Sequence, residues 1–520
     1  MDATTPPPAA GAVLSAPAHA PGAGAAPSAH RGPDPITGIL AALLPDLARW
    51  LPQRRWYVRE GQEGPRLEIR AWSPLVPDAE RDALADPLAL LVILRSRSEG
   101  PGGVRDYQVP IVLRDRDVLG TGDAEDEDDA VIGEVTWEGR TLRAVDAAAD
   151  DTGRRALLTL LSRPGPAGRG GLSLRPEAVR GDRVGGAVLT SRLLGGEQSN
   201  SSMVFEVEGS PALIVKLFRV LQDGANPDVE VQGALDAAGS TRIAPMVGAV
   251  RAEITEVGDP SARRGDAPSG AAPAPVPWTA HSLFAQQFLP GVEDAWRVAL
   301  EQARRGEDFT APARELGGAT AEVHRDLTQE LPTAPADPAA RAAVLQAMRE
   351  RLRMVAAAVA QVARHEAELG RIIDRAGSGD WPLLQRIHGD YHLGQVLAVP
   401  GRGWVLLDFE GEPLRSLEER CAVDSPLRDV AGMLRSFDYV SATVQREHGA
   451  DASSWSGAAR EAFWDGYCER AGWDPGSVHD QLTAFEADKA VYEALYELRH
   501  RPAWIDIPLA AIARITADAR

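Results

Sequence analysis

Asp390 and Asp408 are the residues of this sequence best suited to chemistry. Asp390 stands in His388-Gly389-Asp390, and Gln395 follows five positions on. Asp408 comes eighteen positions after Asp390, inside Asp408-Phe409-Glu410, and the apolar run Trp404–Leu407 leads into it. The layout is a loop with one carboxylate, a short buried strand, and a second carboxylate at the strand's end. Phosphoryl transfer to a hydroxyl needs a carboxylate that orients the acceptor and takes its proton. It also needs oxygen ligands that hold Mg²⁺ against a triphosphate. Asp390 suits the first task. Gln395 and Asp408 suit the second, because Mg²⁺ prefers carboxylates, amide oxygens and waters. Glu410 is a further ligand or hydrogen-bonding group. Two other readings stand beside this one. Both acids can be loop caps, or His388, Asp390 and His392 can alternate on a strand as the ligands of a metallohydrolase.

Protein kinases place a base in one loop and a metal-binding Asp after the next strand, so a nucleotide-binding lobe is expected upstream. Ala187–Leu194 reads as a strand, 195–202 as a small polar turn, and Met203–Val207 as the returning strand. Ala212–Phe218 is a further strand with a single Lys, Lys216. In a kinase-like lobe the turn, with Ser199, Asn200 and Ser201, covers the nucleotide phosphates and Lys216 contacts them. The turn lacks GxGxxG, so alone it would be only a hairpin. Pro227–Ala238 reads as a helix, and Glu230 is the acid on it expected to pair with Lys216. Ile243–Val250 and Leu283–Leu289 close the lobe. The crossing Gln286-Gln287-Phe288-Leu289-Pro290-Gly291 would hydrogen-bond a nucleotide base through its backbone, at Gln287 and Leu289.

The rest of the chain frames this pair of lobes. Residues 1–34, rich in Ala, Pro and Gly, read as a disordered tail without the compact apolar centre of a secretory signal. Ile36–Trp50 has helical apolar spacing, with Pro45 as a candidate kink. The pair of Arg54-Arg55 with Trp56-Tyr57 can bind a sugar or phosphate, or cover apolar surface with its stems, and the second reading is favoured. From Leu67 to Val145 β-rich runs point to a small sheet on the first helix, and Ala156–Ser162 to a short helix. The acidic insert Asp123–Asp129 reads as a solvated loop, and Gly165–Gly171 as a connector and boundary. Gly258–Pro277 reads as a flexible loop. Beyond Val292 helices dominate: Ala295–Gly306, Pro312–Thr328, one long helix over Pro338–Leu369, Trp455–Ala471 and Ala484–Arg499.

Composition narrows the function classes. The 520 residues leave room for two or three domains, and 44% apolar with 25% charged residues is ordinary for a globular protein. A formal net charge of −20 argues against nucleic acid or an anionic membrane surface as partner. The two cysteines, Cys421 and Cys468, make a disulfide framework unexpected and fit a reducing cytoplasm. No run of about 18 apolar residues predicts a membrane span.

The stretch Gln385-Arg386-Ile387-His388-Gly389-Asp390-Tyr391-His392-Leu393-Gly394-Gln395-Val396-Leu397 resembles the signature of actinobacterial maltokinases. So do Asp408-Phe409-Glu410-Gly411-Glu412-Pro413 and the run from Asp424 through Arg428-Asp429 to Phe437. Glu197–Ser202, Lys216–Arg219, Asp488–Glu493, Arg501–Trp504 and Ile507–Leu509 are similar too, so the resemblance covers roughly 36–520. It implies an α+β, bilobal protein-kinase-like fold with a β-rich N-lobe and a mainly helical C-lobe, related to aminoglycoside phosphotransferases, with an added N-terminal α/β cap subdomain. The expected domains are a cap at 35–165, an N-lobe at 180–290 and a C-lobe at 291–520. The resemblance implies transfer of the ATP γ-phosphate, with Mg²⁺, to the anomeric hydroxyl of maltose, in the trehalose-to-α-glucan route. A trehalose–maltose converting enzyme is then a candidate partner, and the chain a monomer or homodimer. Asp390 would be the base, Gln395 and Asp408 the metal ligands, and Lys216 the phosphate contact. Arg386, His388 and Glu410 would join the substrate side. On the last of the listed helices Lys489, Tyr492, Glu493 and Tyr496 are spaced three or four apart and would form a sugar-binding face. Where that family has Arg-Trp-Phe and then Gly/Lys-rich residues, this chain has Arg55-Trp56-Tyr57-Val58-Arg59-Glu60. Amino-sugar kinases acting on glucosamine share the same core and give the alternative acceptor, with aminoglycosides behind them.

Overall fold

The computed structural model describes residues 34–58, 65–76, 87–97, 103–116, 129–163, 167–180, 186–195, 199–255, 278–412 and 415–518. The N-terminal tail, nearly all of the acidic insert, the 258–277 loop, Glu197, Gln198 and Pro413 lie outside them.

Helix α1 (Pro35–Trp50) starts where the Asp34 side chain accepts from Ile36 N at 3.0 Å. It buries Ile36, Ile39, Leu40, Leu43, Leu47 and Trp50, and it continues through Pro45 without a break. It lies on a sheet built from β1 (Arg66–Pro74), β2 (Leu88–Arg97), β3 (Val104–Asp115), β4 (Val131–Trp137) and β5 (Arg140–Asp146), in the order β1-β2-β3-β5-β4. Seven successive residues of β2, Leu88 to Leu94, are buried. Leu90, Val92 and Leu94 face α1, while Ala89, Leu91 and Ile93 face the other way, into a core shared with the next lobe. A continuous apolar run is what a strand covered on both faces requires. The cap sheet is therefore a middle layer. Helix α2 (Asp151–Ser162) follows, with Asp150 capping Gly153 N at 2.8 Å.

The presumed connector after α2 turns out to be sheet. β6 (Ala167–Arg169) and β7 (Leu172–Glu177) join β8 (Val188–Leu193), β9 (Asn200–Val207), β10 (Leu213–Phe218), β12 (Met246–Ile254) and β13 (Trp278–Gln287) in the order β6-β7-β12-β13-β10-β9-β8. The N-lobe thus begins before residue 180. A two-residue strand, β11 (Val220–Leu221), leaves this lobe and pairs with Tyr107 and Asp106 of β3. Helix α3 (Pro227–Ala237) completes the lobe.

The C-lobe holds a small sheet of β14 (Glu293–Asp294), β15 (Val396–Val399) and β16 (Gly403–Leu406) among helices. These are α4 (Ala295–Arg305), α5 (Thr310–Glu330), α6 (Pro338–Ala358), α7 (Ala360–Ala363), α8 (Glu366–Arg375), α9 (Leu417–Cys421), α10 (Leu427–His448), α11 (Ser453–Ala471), α12 (His479–His500) and α13 (Asp506–Asp518). The long helix expected over 338–369 is thus three helices. Val359 adopts an extended backbone (φ −123°, ψ 99°) and ends α6 with no Gly or Pro to announce it. α5 and α11 touch closely because Gly317 and Gly466 have no side chain. A Cβ on Gly317 would lie 2.0 Å from Phe463 O, and one on Gly466 2.1 Å from Arg314 O. Both cysteines are free, and no described helix is long and apolar enough to cross a membrane.

Candidate active site

Strand alternation sets the first side chain. In β10 Leu213, Val215 and Leu217 are buried in the N-lobe core, so Lys216 points to the opposite face, toward the C-lobe. There its Nζ meets three carboxylates: Asp408 Oδ1 at 2.7 Å, Asp228 Oδ2 at 2.9 Å and Glu410 Oε1 at 3.0 Å. Burial opposes the charge on Lys216, but Asp228, Asp408 and Glu410 together hold its pKa well above the ordinary lysine value. Burial pushes Glu410 up to about 7, reinforced by Asp408 and Asp228 and opposed by Lys216. Burial also acts against the Asp408 carboxylate, yet Lys216 keeps its pKa below the usual range.

The expected Lys216–Glu230 pair is not formed. Asp228 is in the first turn of α3 and Glu230 two residues on, about 200° around the helix. Asp228 is fully buried and faces Lys216, and it also accepts from Gln232 Nε2 at 2.7 Å and Phe409 N at 2.8 Å. Glu230 turns instead to Arg386, at 2.5 Å. Arg386 is 4% exposed, and its guanidinium is engaged by Glu230. Asp228 is a site residue that the sequence reading missed, and its signal was the Asn226-Pro227-Asp228 helix start.

The Asp390 loop is held by a second missed acid. Asp429, at the start of α10, accepts from His388 N at 2.8 Å, Gly389 N at 2.9 Å and His324 Nε2 at 3.0 Å. Gly389 has φ +84°, a conformation that favours glycine, and its missing Cβ would stand 3.1 Å from Gly411 Cα. His388 is 2% exposed. Its Nε2 meets Leu407 O at 2.8 Å, and its Nδ1 accepts from Asp390 N at 3.4 Å. In these contacts it braces the Asp390 loop. His392 Nδ1 accepts from Gly394 N at 3.0 Å. Both histidines are turned to backbone, so the metallohydrolase arrangement is not formed. Gln395 Nε2 donates to Asp408 Oδ2 at 3.1 Å. Asp408 itself has φ +62°, a left-handed conformation that Asp tolerates better than most residues. That backbone turns its carboxylate back toward Lys216. Oxygens of Asp228, Asp408 and Glu410 lie within 4.8 Å of one another, a hard donor set of the kind that holds a small dication.

The strand β9 brings the polar turn to this cluster. Asn200 Nδ2 donates to Glu410 Oε1 at 2.7 Å and meets Ser199 Oγ at 3.3 Å. Ser201 points away, and its Oγ accepts from Arg219 Nε at 2.8 Å. At the crossing between lobes, Gln287 N donates to Pro245 O at 2.9 Å and Phe288 N to Ala212 O at 2.7 Å. The Gln287 amide is therefore used within the lobe. Leu289 lies half-buried just past the end of β13.

On α12, Lys489 Nζ sits 2.6 Å from Glu412 Oε1 and 3.5 Å from Asp390 Oδ1. Burial pushes the Tyr492 hydroxyl up to about 12, with Glu412 adding to it. Tyr492 stacks on Tyr496, centroids 6.4 Å apart, and the Lys489 ammonium lies 5.2 Å from the Tyr492 ring centroid. Lys489, Tyr492 and Tyr496 therefore share one face beside Asp390. Glu493 does not join them. It is 9% exposed and bonds Arg435 of α10 at 2.9 and 2.8 Å. Glu412, unassigned in the sequence reading, is the acid that stands beside Lys489. Ser199, Asn200, Asp390, Gln395, Asp408 and Glu410 line one cavity of about 340 Å³.

Comparison with known proteins places this arrangement. Residues 50–150 match the family model described as the maltokinase N-terminal cap domain. The chain is 35% identical over 241 residues to a glucosamine kinase of Streptacidiphilus jiangxiensis, covering 42% of this chain and 54% of that one. It is 29% identical over 246 residues to a glucosamine kinase of Mycolicibacterium smegmatis (strain ATCC 700084 / mc(2)155), covering 44% and 60%. The match thus spans little more than half the length of these relatives. A solved glucosamine kinase in complex with glucosamine, ADP and inorganic phosphate superposes with TM-score 0.60 at 22% identity, over 92% of this chain and 98% of that one. The fold is therefore the bilobal, kinase-like one, β-rich in its N-lobe and helical in its C-lobe, with an N-terminal cap. Residues 50–150 are thus similar to a maltokinase N-terminal cap domain, and the fold as a whole is similar to that of a solved glucosamine kinase.

Proposed function

We propose that this chain is an ATP-dependent sugar kinase and that its acceptor is an amino sugar of the glucosamine type. The observation that carries the kinase reading is the convergence of Lys216, Asp408 and Glu410 within 3.0 Å, with Asp390 on the same cavity. Lys216 binds the nucleotide phosphates, and Ser199 and Asn200 cover them. The nucleotide base lies toward the lobe crossing, with the Leu289 backbone as its contact. Asp408 and Gln395 would hold Mg²⁺, which would supply charge neutralisation at the phosphates. Asp390 orients the acceptor hydroxyl and takes its proton.

The acceptor choice rests on two supports. The two relatives named above carry the glucosamine kinase name. Around the acceptor, Asp390 and Glu412 outnumber Lys489, which suits an ammonium-bearing sugar. Tyr492 and Tyr496 offer rings for a sugar face. The cap match favours a second reading, maltose to maltose 1-phosphate in the trehalose-to-α-glucan (glycogen) route. An acceptor screen decides. ATP with glucosamine should release ADP, read by a coupled assay, and phosphorus NMR should locate the phosphate. Turnover of maltose alone would replace the amino sugar by maltose. ADP release with no sugar tested would sink the kinase reading itself.

A further inference from the structure

The catalytic cavity is not walled by the two lobes alone. Arg55, Tyr57 and Val58 of the cap line it together with Asp390, Asp408 and Asn200. We propose that Arg55 is a phosphate-contacting residue, whose guanidinium binds the terminal phosphate of the nucleotide. The inference rests on the kinase reading above.

Charge is the first argument. A triphosphate brought to this cavity faces the carboxylates of Asp390, Asp408 and Glu410. Lys216, the lobe's own cation, is already engaged by three carboxylates. Arg420, on the same cavity, is committed to Glu410 O at 3.0 Å and Gln222 Oε1 at 2.6 Å. Arg55 is exposed and has no hydrogen bond or ion pair among the described residues. A guanidinium presents a planar fork of donors that matches phosphate oxygens.

Presentation is the second argument. Arg55 sits on a short segment whose neighbours are pinned. Trp56 is 8% exposed, edge-on to Trp50 at 5.8 Å, and the Arg219 guanidinium lies 4.7 Å from its ring centroid. Tyr57 stacks on Tyr107 at 5.4 Å, and Val58 N donates to Tyr107 Oη at 3.3 Å. Arg219 in turn bonds Ser201 of the phosphate-turn strand at 2.8 Å and Asp146 of the cap at 2.7 Å. One buried arginine therefore ties the Arg55 segment to the strand that carries Asn200. With Trp56 turned inward, Arg55 is left facing the cavity in a fixed register to that turn. Such pre-organisation lowers the entropy cost of engaging an anion.

The test compares two nucleotides that differ by the terminal phosphate. Calorimetry on the full chain with Mg²⁺ measures Kd for the β,γ-imido analogue of ATP and for ADP. Arg55→Ala should weaken the analogue about 10- to 100-fold, the loss of a charged hydrogen bond, and change ADP by less than about twofold. Arg55→Lys should recover part of the loss, and the melting temperature should not move, because the side chain is exposed. Equal losses for both nucleotides, or none, would overturn the assignment. A parent protein that binds neither nucleotide would instead defeat the kinase reading on which it rests.

Discussion

Two of the charge clusters among the described residues, around Lys216 and around Arg435, differ in their balance. Around Lys216 three carboxylates, Asp228, Asp408 and Glu410, face one ammonium. Around Arg435 three carboxylates, Asp438, Glu486 and Glu493, face three guanidiniums, those of Arg435, Arg460 and Arg514. The second set is neutral and ties α10, α11, α12 and α13 together. Burial acts against the Asp438 carboxylate, yet Arg435, Arg460 and Arg514 hold its pKa below the usual value. Burial raises one carboxylate in each set, Glu410 in the first and Glu493 in the second, so the sets differ in their charge count and not in the direction of every shift. A buried cluster with matched charges is complete as it stands. One with surplus carboxylate is stabilised by whatever brings positive charge, and in the proposed reaction that is the magnesium ion.

The largest effect expected from this contrast is on turnover. Asp390→Asn keeps the shape of the working side and removes its base. The rate of sugar phosphorylation should fall by about 10²- to 10⁴-fold, the usual worth of a positioned proton acceptor. Nucleotide binding should persist, because Asp390 is bonded to Lys489 and not to Lys216. A steady-state assay beside calorimetry checks both halves, and activity near the parent level would strike Asp390 from the mechanism.

The balanced cluster should answer in stability instead. Arg435→Ala leaves Glu493 buried beside Tyr439 with no guanidinium at 2.8 Å, and removing one partner of a buried pair costs about 3–5 kcal/mol. Denaturant unfolding measures that loss. Substrate KM values should stay close to the parent at a temperature where the variant is folded. A large rise in the acceptor KM with little loss of stability would return Glu493 to the sugar site.

How much of this was legible in the sequence follows from what each feature depends on. Asp390, Gln395 and Asp408 are close in sequence, so their spacing alone places them around one short hairpin. Lys216 was legible because strand alternation fixes the face of a lone polar residue. The buried run Leu88–Leu94 carried the two-sided cover of the cap sheet, although only α1 was foreseen as its partner. The failures share a cause. Glu230 was assigned as the acid on the helix that follows Lys216 and Glu493 by helical spacing, and neither argument states what packs against the residue. Arg386 waits behind one and Arg435 behind the other. Both arginines are far away in sequence. The break at Val359 and the strand β7 were invisible because long-range packing, not a local breaker or alternation, decides them. Asp429 was within a motif already quoted, but its role appears only when α10 brings it to the amides of His388 and Gly389.

Asp228 offers the finest test, because it makes a charged contact and a purely structural one at once. It holds Lys216 at 2.9 Å and also fastens α3 to the Asp408 loop through Phe409 N at 2.8 Å. Asp228→Asn removes the charge that steadies the lysine and keeps the shape of the bond acceptor. The KM for ATP should rise about tenfold, the weight of one charged hydrogen bond. Glu230→Gln is the matched control. It breaks the contact to Arg386, so it should lower the melting temperature slightly and leave the KM for ATP alone. The two variants differ by two positions on one helix, so their ordering reads out which face of α3 serves the nucleotide. If Glu230→Gln raises the ATP KM and Asp228→Asn does not, the helix turns when nucleotide binds and Glu230 becomes the partner of Lys216.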